Sequence, residues 1–196
     1  MEFSLGQLQE VQDLHDRHYH TDIYNLPKKH RLAHLVLHLA KYNGRFWEIG
    51  DDPAGMARLA TDAMIVLISI ATLFNINLDK AFAENSLEKL VDIKRRANLP
   101  TNASSKLRDI QVGHLAKLVE AIDHVENTPD IPGTVKEAIL ILLPLWADVA
   151  RDYINLIRDD VKPATLGESI ENRLRSIEQK SIFFYRQWNI DKYTPS

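Results

Sequence analysis

The sequence predicts an all-α protein built as a helical bundle. Apolar residues recur at three- and four-residue intervals along nearly the whole chain, and no segment sustains an alternation of period two. With 196 residues and 45% hydrophobic content, the chain can also supply a proper core.

Taken in order, the first helix is expected over 5–18, followed by a loop through 22–27. The next helix is the clearest amphipath, with Leu32, Leu35, Val36, Leu39, Phe46 and Trp47 on one side. His30, His34, His38, Lys41 and Arg45 occupy the other, which should face water. Gly50-Asp51-Asp52-Pro53-Ala54-Gly55 is a cluster of turn formers that ends it. Over 56–74 the pattern is apolar almost all round, which places this helix in the middle of the bundle. Its apolar run, 63–74, is interrupted only by Ser69 and Thr72 and is too short to span a bilayer. Asn75-Ile76-Asn77 breaks the pattern, a more polar helix follows over 78–97, and Pro100-Thr101-Asn102-Ala103-Ser104-Ser105 is the strongest linker signal in the chain.

The second half repeats this order. A helix is expected over 106–125, then a turn through 127–133 carrying two prolines, then a strongly apolar helix over 134–157. Pro144 should kink that helix, because it lacks an N–H and its ring meets the carbonyl four residues earlier. A final helix over 166–188 shows Ile170, Leu174, Ile177, Phe184 and Trp188 at helical spacing. Leu32-Ala33-His34-Leu35-Val36 is echoed by Leu115-Ala116-Lys117-Leu118-Val119, each leading through a Pro/Gly turn into an apolar helix. Two stacked, pseudo-repeated hairpins would explain the echo, and so would common helical patterning. The halves, 1–99 and 106–190, are expected to pack as one compact domain.

Composition removes several function classes. A net charge of −3, with Lys94-Arg95-Arg96 as an isolated basic cluster, offers no stripe for tracking a nucleic acid polymer. The absence of cysteine excludes disulfides, thiolate metal sites and a Cys nucleophile. Polar Gln7, Gln9, Glu10 and Gln12 follow the start at once, unlike a signal peptide, so a cytoplasmic location without a membrane partner is expected. Neither a Gly-rich phosphate loop nor a Gly-x-Ser-x-Gly elbow is present. Trp47, Trp146, Trp188 and the run Phe183-Phe184-Tyr185 read as packing residues.

Two blocks carry a resemblance. The first comprises Leu8-Gln9, Asp16-Arg17-His18, Leu26-Pro27-Lys28-Lys29, Leu32-Ala33 and Leu37-His38-Leu39-Ala40-Lys41. The second runs from Leu59-Ala60-Thr61-Asp62-Ala63-Met64-Ile65-Val66-Leu67 to Asn75-Ile76-Asn77-Leu78-Asp79-Lys80-Ala81-Phe82. Over about the first hundred residues the chain thus resembles the MazG-like all-α nucleoside triphosphate pyrophosphohydrolases. The resemblance implies hydrolysis of a nucleoside triphosphate to monophosphate and pyrophosphate. It also implies Mg²⁺ held by a Glu-x-x-Glu pair on one helix and a Glu-x-x-Asp pair on the next. Carboxylates one helical turn apart share a face, so two such helices build an oxygen cage for a hard cation.

Carried over residue by residue, the first pair falls on Tyr42 and Arg45, and in the second pair Leu59 stands for the Glu while Asp62 matches. One ligand of four is not a working cage, and an Arg within it would repel the cation. Asp62 is then better read as a carboxylate in the first turns of a helix, complementing its dipole. In the second half, Glu120 and Asp123 stand one turn apart, with Glu137 opening the next apolar helix, nearly the spacing the first half lacks. A fourth ligand would fall on Thr134, and exposed helix faces explain these acids as well. His30, His34 and His38 recur every four residues near His15, His18 and His20 in sequence. A row of three along one helix spans about 12 Å, too far for all to reach one ion, so they read as solvated.

Two functions therefore stand. One is a divergent nucleotide-binding or nucleotide-hydrolysing protein using Mg²⁺ with Asp62, Glu120, Asp123 and Glu137. The other is a pseudoenzyme that acts as a homo-oligomer or through a protein partner.

Overall fold

The computed structural model describes residues 3–82, 86–96, 101–124, 130–157 and 165–180, and within them the chain is helical without strands. The helices are α1 (Leu5–Tyr19), α2 (Thr21–Tyr24), α3 (Lys28–Glu48), α4 (Pro53–Leu73), α5 (Leu78–Phe82), α6 (Leu87–Arg96), α7 (Thr101–Asp123), α8 (Ile131–Ile157) and α9 (Leu166–Lys180).

Short polar side chains set the helix starts by satisfying N–H groups that have no intrahelical acceptor. Ser4 and Gln7 form a reciprocal capping box at α1. Asp52 accepts from the Gly55 N–H at 2.9 Å and Pro53 follows as the first residue of α4. Asp130 accepts from the Gly133 N–H at 3.0 Å at the start of α8. Thr165 and Glu168 make the reciprocal pair at α9, at 3.1 and 2.9 Å. Gly50, at φ +60°, turns the chain between α3 and α4. Past the end of α4, Asn75 takes φ +55°, a conformation this side chain tolerates better than most.

Around these caps the chain builds a four-helix square. α4 packs along α8, α3 packs along both α4 and α7, and α7 closes the ring against α8. α1 and α9 lie on the remaining side of α4, and α6 lies on α8. The hairpins α3–α4 and α7–α8 thus share one continuous core, in which Ala60, Ala63, Met64, Leu67 and Ile68 of α4 meet Ile139, Leu142, Leu143, Trp146 and Ala150 of α8. α8 runs through Pro144 as one helix.

A buried arginine ties three helices of the square. The Arg108 guanidinium of α7 lies 3.7 Å from the Phe46 ring centre and 4.5 Å from that of Trp146. Its Nε donates to Asn43 Oδ1 at 3.0 Å, while Asn43 Nδ2 donates to Asp109 Oδ1 at 2.9 Å. Burial lowers its pKa to about 10, with Asp109 opposing the shift.

The structure departs from the expected elements in identifiable places. Pro100, the first residue of the expected linker, lies outside the described residues, and 101–105 forms the start of α7, where Ser104 and Ser105 are buried. The single helix expected over 78–97 is divided into α5 and α6. Part of the expected 22–27 loop is the short α2. The helical prediction for 181–188, with Phe184 and Trp188, falls outside the described residues. Trp47 is 62% exposed rather than on the packed side of α3. At 21 residues, α4 is long and apolar enough to cross a membrane, contrary to the shorter run seen in the sequence; 78% of its most apolar window is buried inside the bundle.

Replacing Met64, fully buried in α4, with Ala should cost about 2–5 kcal/mol in chemical denaturation. Leu37→Ala, at a position 69% exposed on α3, should stay within about 0.5 kcal/mol of the parent.

Candidate functional site

A cavity of about 450 Å³ opens on the side of the bundle where α1, α2, α3, α4 and α9 meet. Helical periodicity explains its walls. α3 contributes Arg31, His34, Leu35, His38 and Tyr42, a stripe at three-, four- and seven-residue offsets distinct from the one that packs on α7. α1 contributes Gln12, His15 and Asp16, one turn apart. Asp62, Ile65, Val66 and Ser69 come from α4, and Arg173, Leu174 and Ile177 from α9.

Two ion pairs brace these walls. Arg173 grips Asp62 with both arms of its fork, Nε to Oδ1 at 2.6 Å and Nη2 to Oδ2 at 3.0 Å, with side-chain exposures of 23% and 15%. Asp62 in turn raises the pKa of the Arg173 guanidinium through that hydrogen bond. The second pair joins α1, α3 and α4. Asp16 accepts from Ser69 Oγ at 2.8 Å, from Gln12 Nε2 at 2.9 Å and from Arg31 Nη2 at 3.4 Å. Arg31 also lies over the Tyr24 ring at 4.3 Å, and the Tyr24 hydroxyl donates to Asp13 at 3.2 Å.

Burial favours the neutral form of three histidines of the cavity, His15, His34 and His38. Burial lowers the pKa of His38 to about 4, helped by the charges of Lys41 and His34. Burial also lowers that of His34, whose ring stands 4.6 Å from the His38 ring. His15 falls to about 4, again through burial first and then its neighbour His20. Tyr42 moves up to about 12, driven by burial and then by the Asp62 carboxylate. The Tyr42 hydroxyl is 3.5 Å from His38 Nδ1.

The residues singled out in the sequence fall into two groups. Tyr42 and Asp62 meet at the cavity wall, while Leu59, one turn earlier on α4, is buried in the core. Asp62 lies well inside α4 rather than in its first turns, so its role is the pair with Arg173 and not dipole complementation. That pair occupies both carboxylate oxygens, and with Tyr42 on the same wall and Leu59 in place of a second carboxylate the position does not fit Mg²⁺. Glu120, Asp123 and Glu137 are exposed on α7 and α8. Asp123 stands 3.9 Å from the Lys29 ammonium, and the Thr134 hydroxyl donates to the Asp130 carbonyl. None of the three acids enters the His15, Asp16 and His20 group, the one group of ligand atoms gathered closely enough for an ion among the described residues.

The solvated reading of the α3 histidines holds only for His30, which is exposed. His34 and His38 are half-buried on the cavity wall, because α1, α2 and α9 enclose the cavity that the flank of α3 beside its main apolar stripe lines. Sequence reasoning also missed Arg31 and Arg173. Arg31 stood in plain view on an amphipathic helix, whereas nothing local marks Arg173.

A scan of family models, a search among curated proteins and a search among solved structures each returned no match to this chain.

Two outcomes follow. Arg173→Met leaves a half-enclosed carboxylate without its cation and should destabilise the fold by about 2–3 kcal/mol; Asp62→Asn in the same chain should return part of that loss, read as coupling in a double-mutant cycle. For pH, the folded protein binds fewer protons than the unfolded chain wherever His38 stays neutral. Its contribution is therefore complete above the free histidine pKa of 6.5 and is lost as pH falls toward 4. His38→Gln should flatten the fall of the melting midpoint across that window, by about 1 kcal/mol once solvent screening is allowed for.

Proposed function

We propose that this chain is a MazG-like helical protein that binds a nucleotide, of cytoplasmic location, in which an ion pair has replaced the Mg²⁺ cage. The observation that carries the reading is the Tyr42–Asp62–Arg173 cluster on the cavity wall, in which Tyr42 and Asp62 stand where the resemblance puts metal-binding carboxylates and Arg173 pairs with Asp62.

The charge balance of the cavity favours a particular kind of ligand. Asp16 is offset by Arg31 and Asp62 by Arg173, burial disfavours the charged form of His15 and His38, and Asp22 adds a carboxylate at the rim. Such a lining has no surplus of positive charge for a triphosphate. It does offer the adjoining imidazoles of His34 and His38, with the Tyr42 phenol edge-on to His38, beside Leu35, Ile65 and Val66, a setting for a planar heteroaromatic base. An arginine has five N–H donors and the Asp62 pair uses two of Arg173's, so donors remain for a single phosphate or for base edges. A nucleoside or nucleoside monophosphate suits this cavity better than a metal-bound triphosphate.

Thermal unfolding with and without ligand tests the reading. Nucleosides or nucleoside monophosphates should raise the melting temperature without Mg²⁺. Saturation at a hundred times the dissociation constant corresponds to about 2.7 kcal/mol. His38→Ala should remove the shift. A flat response to the whole panel, or a response seen only with triphosphate and Mg²⁺, would sink the proposal.

The second reading, an interaction module, is favoured by large apolar side chains left in water: Leu14 on α1 and Leu37 and Trp47 on α3. Under that reading light scattering gives an oligomer and the thermal response to nucleotides is flat.

A further inference from the structure

We infer that His15, Asp16 and His20 form a binding site for one divalent ion of the zinc class, at the junction of α1 and α2 and open to the cavity. This goes beyond the nucleotide reading and stands or fails without it, since it concerns the metal alone.

The geometry comes first. One ring nitrogen from each histidine and one carboxylate oxygen lie within 4.8 Å of one another. Three ligands at bond lengths of about 2.0–2.2 Å must draw closer than that, by an amount side-chain rotation supplies. Their placement is a product of the fold: α1 ends at His20, which the N–H to Asp16 carbonyl bond holds at 3.0 Å, so the chain turns back and brings His20 beside His15, with ring centres 5.4 Å apart. The free carbonyl end of α1 adds a favourable field for a cation.

The second observation is independent of this spacing. His15 is only 5% exposed, yet neither of its ring nitrogens has a hydrogen-bond partner. A buried imidazole left in that state forfeits hydrogen bonds it would make to water, a loss that protein interiors seldom keep without a reason. The Leu174 carbonyl influences the ring without meeting hydrogen-bond geometry. A small rotation would let one nitrogen donate to it and aim the other at an ion, the usual arrangement for a metal-bound histidine.

The surroundings of Asp16 then decide which ion. Gln12 and Ser69 donate to its carboxylate, as outer partners of a ligating carboxylate do. Arg31, 3.4 Å away, neutralises the charge that would draw in a hard cation. With two imidazoles and one compensated carboxylate, the set is poor for Mg²⁺ or Ca²⁺, which need several anionic or carbonyl oxygens. It suits Zn²⁺, Co²⁺ or Ni²⁺, for which imidazole supplies most of the binding. Three protein ligands leave coordination positions for water or for a ligand in the cavity.

The test uses the full chain, stripped of metal with a chelator and titrated with Co²⁺ and then Zn²⁺. The expected result is one Co²⁺ per chain with visible ligand-field bands, displaced by Zn²⁺, and no competition from a large excess of Mg²⁺. His20→Ala, at a half-buried position at the helix end, should weaken Zn²⁺ binding by roughly a hundredfold or more while keeping the parent's circular dichroism. Asp16→Asn should weaken it less, and His34→Ala, on the facing helix, should leave it unchanged. Absence of Co²⁺ bands in the parent, or Zn²⁺ affinity unmoved in the folded His20→Ala chain, overturns the assignment. Loss of binding in His34→Ala with none in His20→Ala also overturns it, and moves the ion to the His34–His38 pair.

Discussion

Everything else in this molecule is arranged around a helix that cannot face water on any side. α4 presents apolar residues almost all round, so α3, α8, α1 and α9 must each cover a part of it. Its few polar side chains then direct how the covering is done, because each needs a partner inside the bundle. Thr61 and Thr72 turn back to the carbonyls of Ala57 and Ile68 on their own helix. Ser69 reaches Asp16 and so seats α1; Asp62 reaches Arg173 and so seats α9. The cavity is the space left between these two polar anchors.

That origin explains the character of the site. Carboxylates that would face an open cage are instead neutralised by arginines from other helices, and the imidazoles between them lose their charge through burial. A lining of this sort has little to offer a hard cation or a polyanion. It offers shaped apolar contact, aromatic rings set edge-on or tilted to one another, and a small number of directed donors. Polar groups left without a hydrogen bond remain in this lining, the His15 imidazole and Gln12 Oε1, and His15 sits beside the Asp16 carboxylate and the His20 imidazole.

How much of this was legible in the sequence depended on how far apart the interacting residues lie. The turn formers around Asp52-Pro53 and the all-round apolar pattern of α4 are local, and each leads directly to a helix boundary or to burial. The linker reading failed at 101–105 because serines favour turns only while nothing buries them, and here Ser104 and Ser105 lie under the bundle. The histidines of α3 were misread for a related reason. A helix with one obvious apolar stripe was assumed to have one packed side, whereas α1, α2 and α9 cover a second.

From its own pattern the chain determined the class of fold, the order of its helices and the centrality of α4, because helical periodicity and capping act within a few residues and the hydrophobic effect needs no named partner. Only the tertiary structure decided the site. Asp62 and Arg173 stand 111 positions apart, and His15 meets Leu174 and the α3 histidines only once three helices have packed. Charge, protonation state and ligand geometry are properties of such meetings, set by distance and burial in the folded chain rather than by neighbours along it.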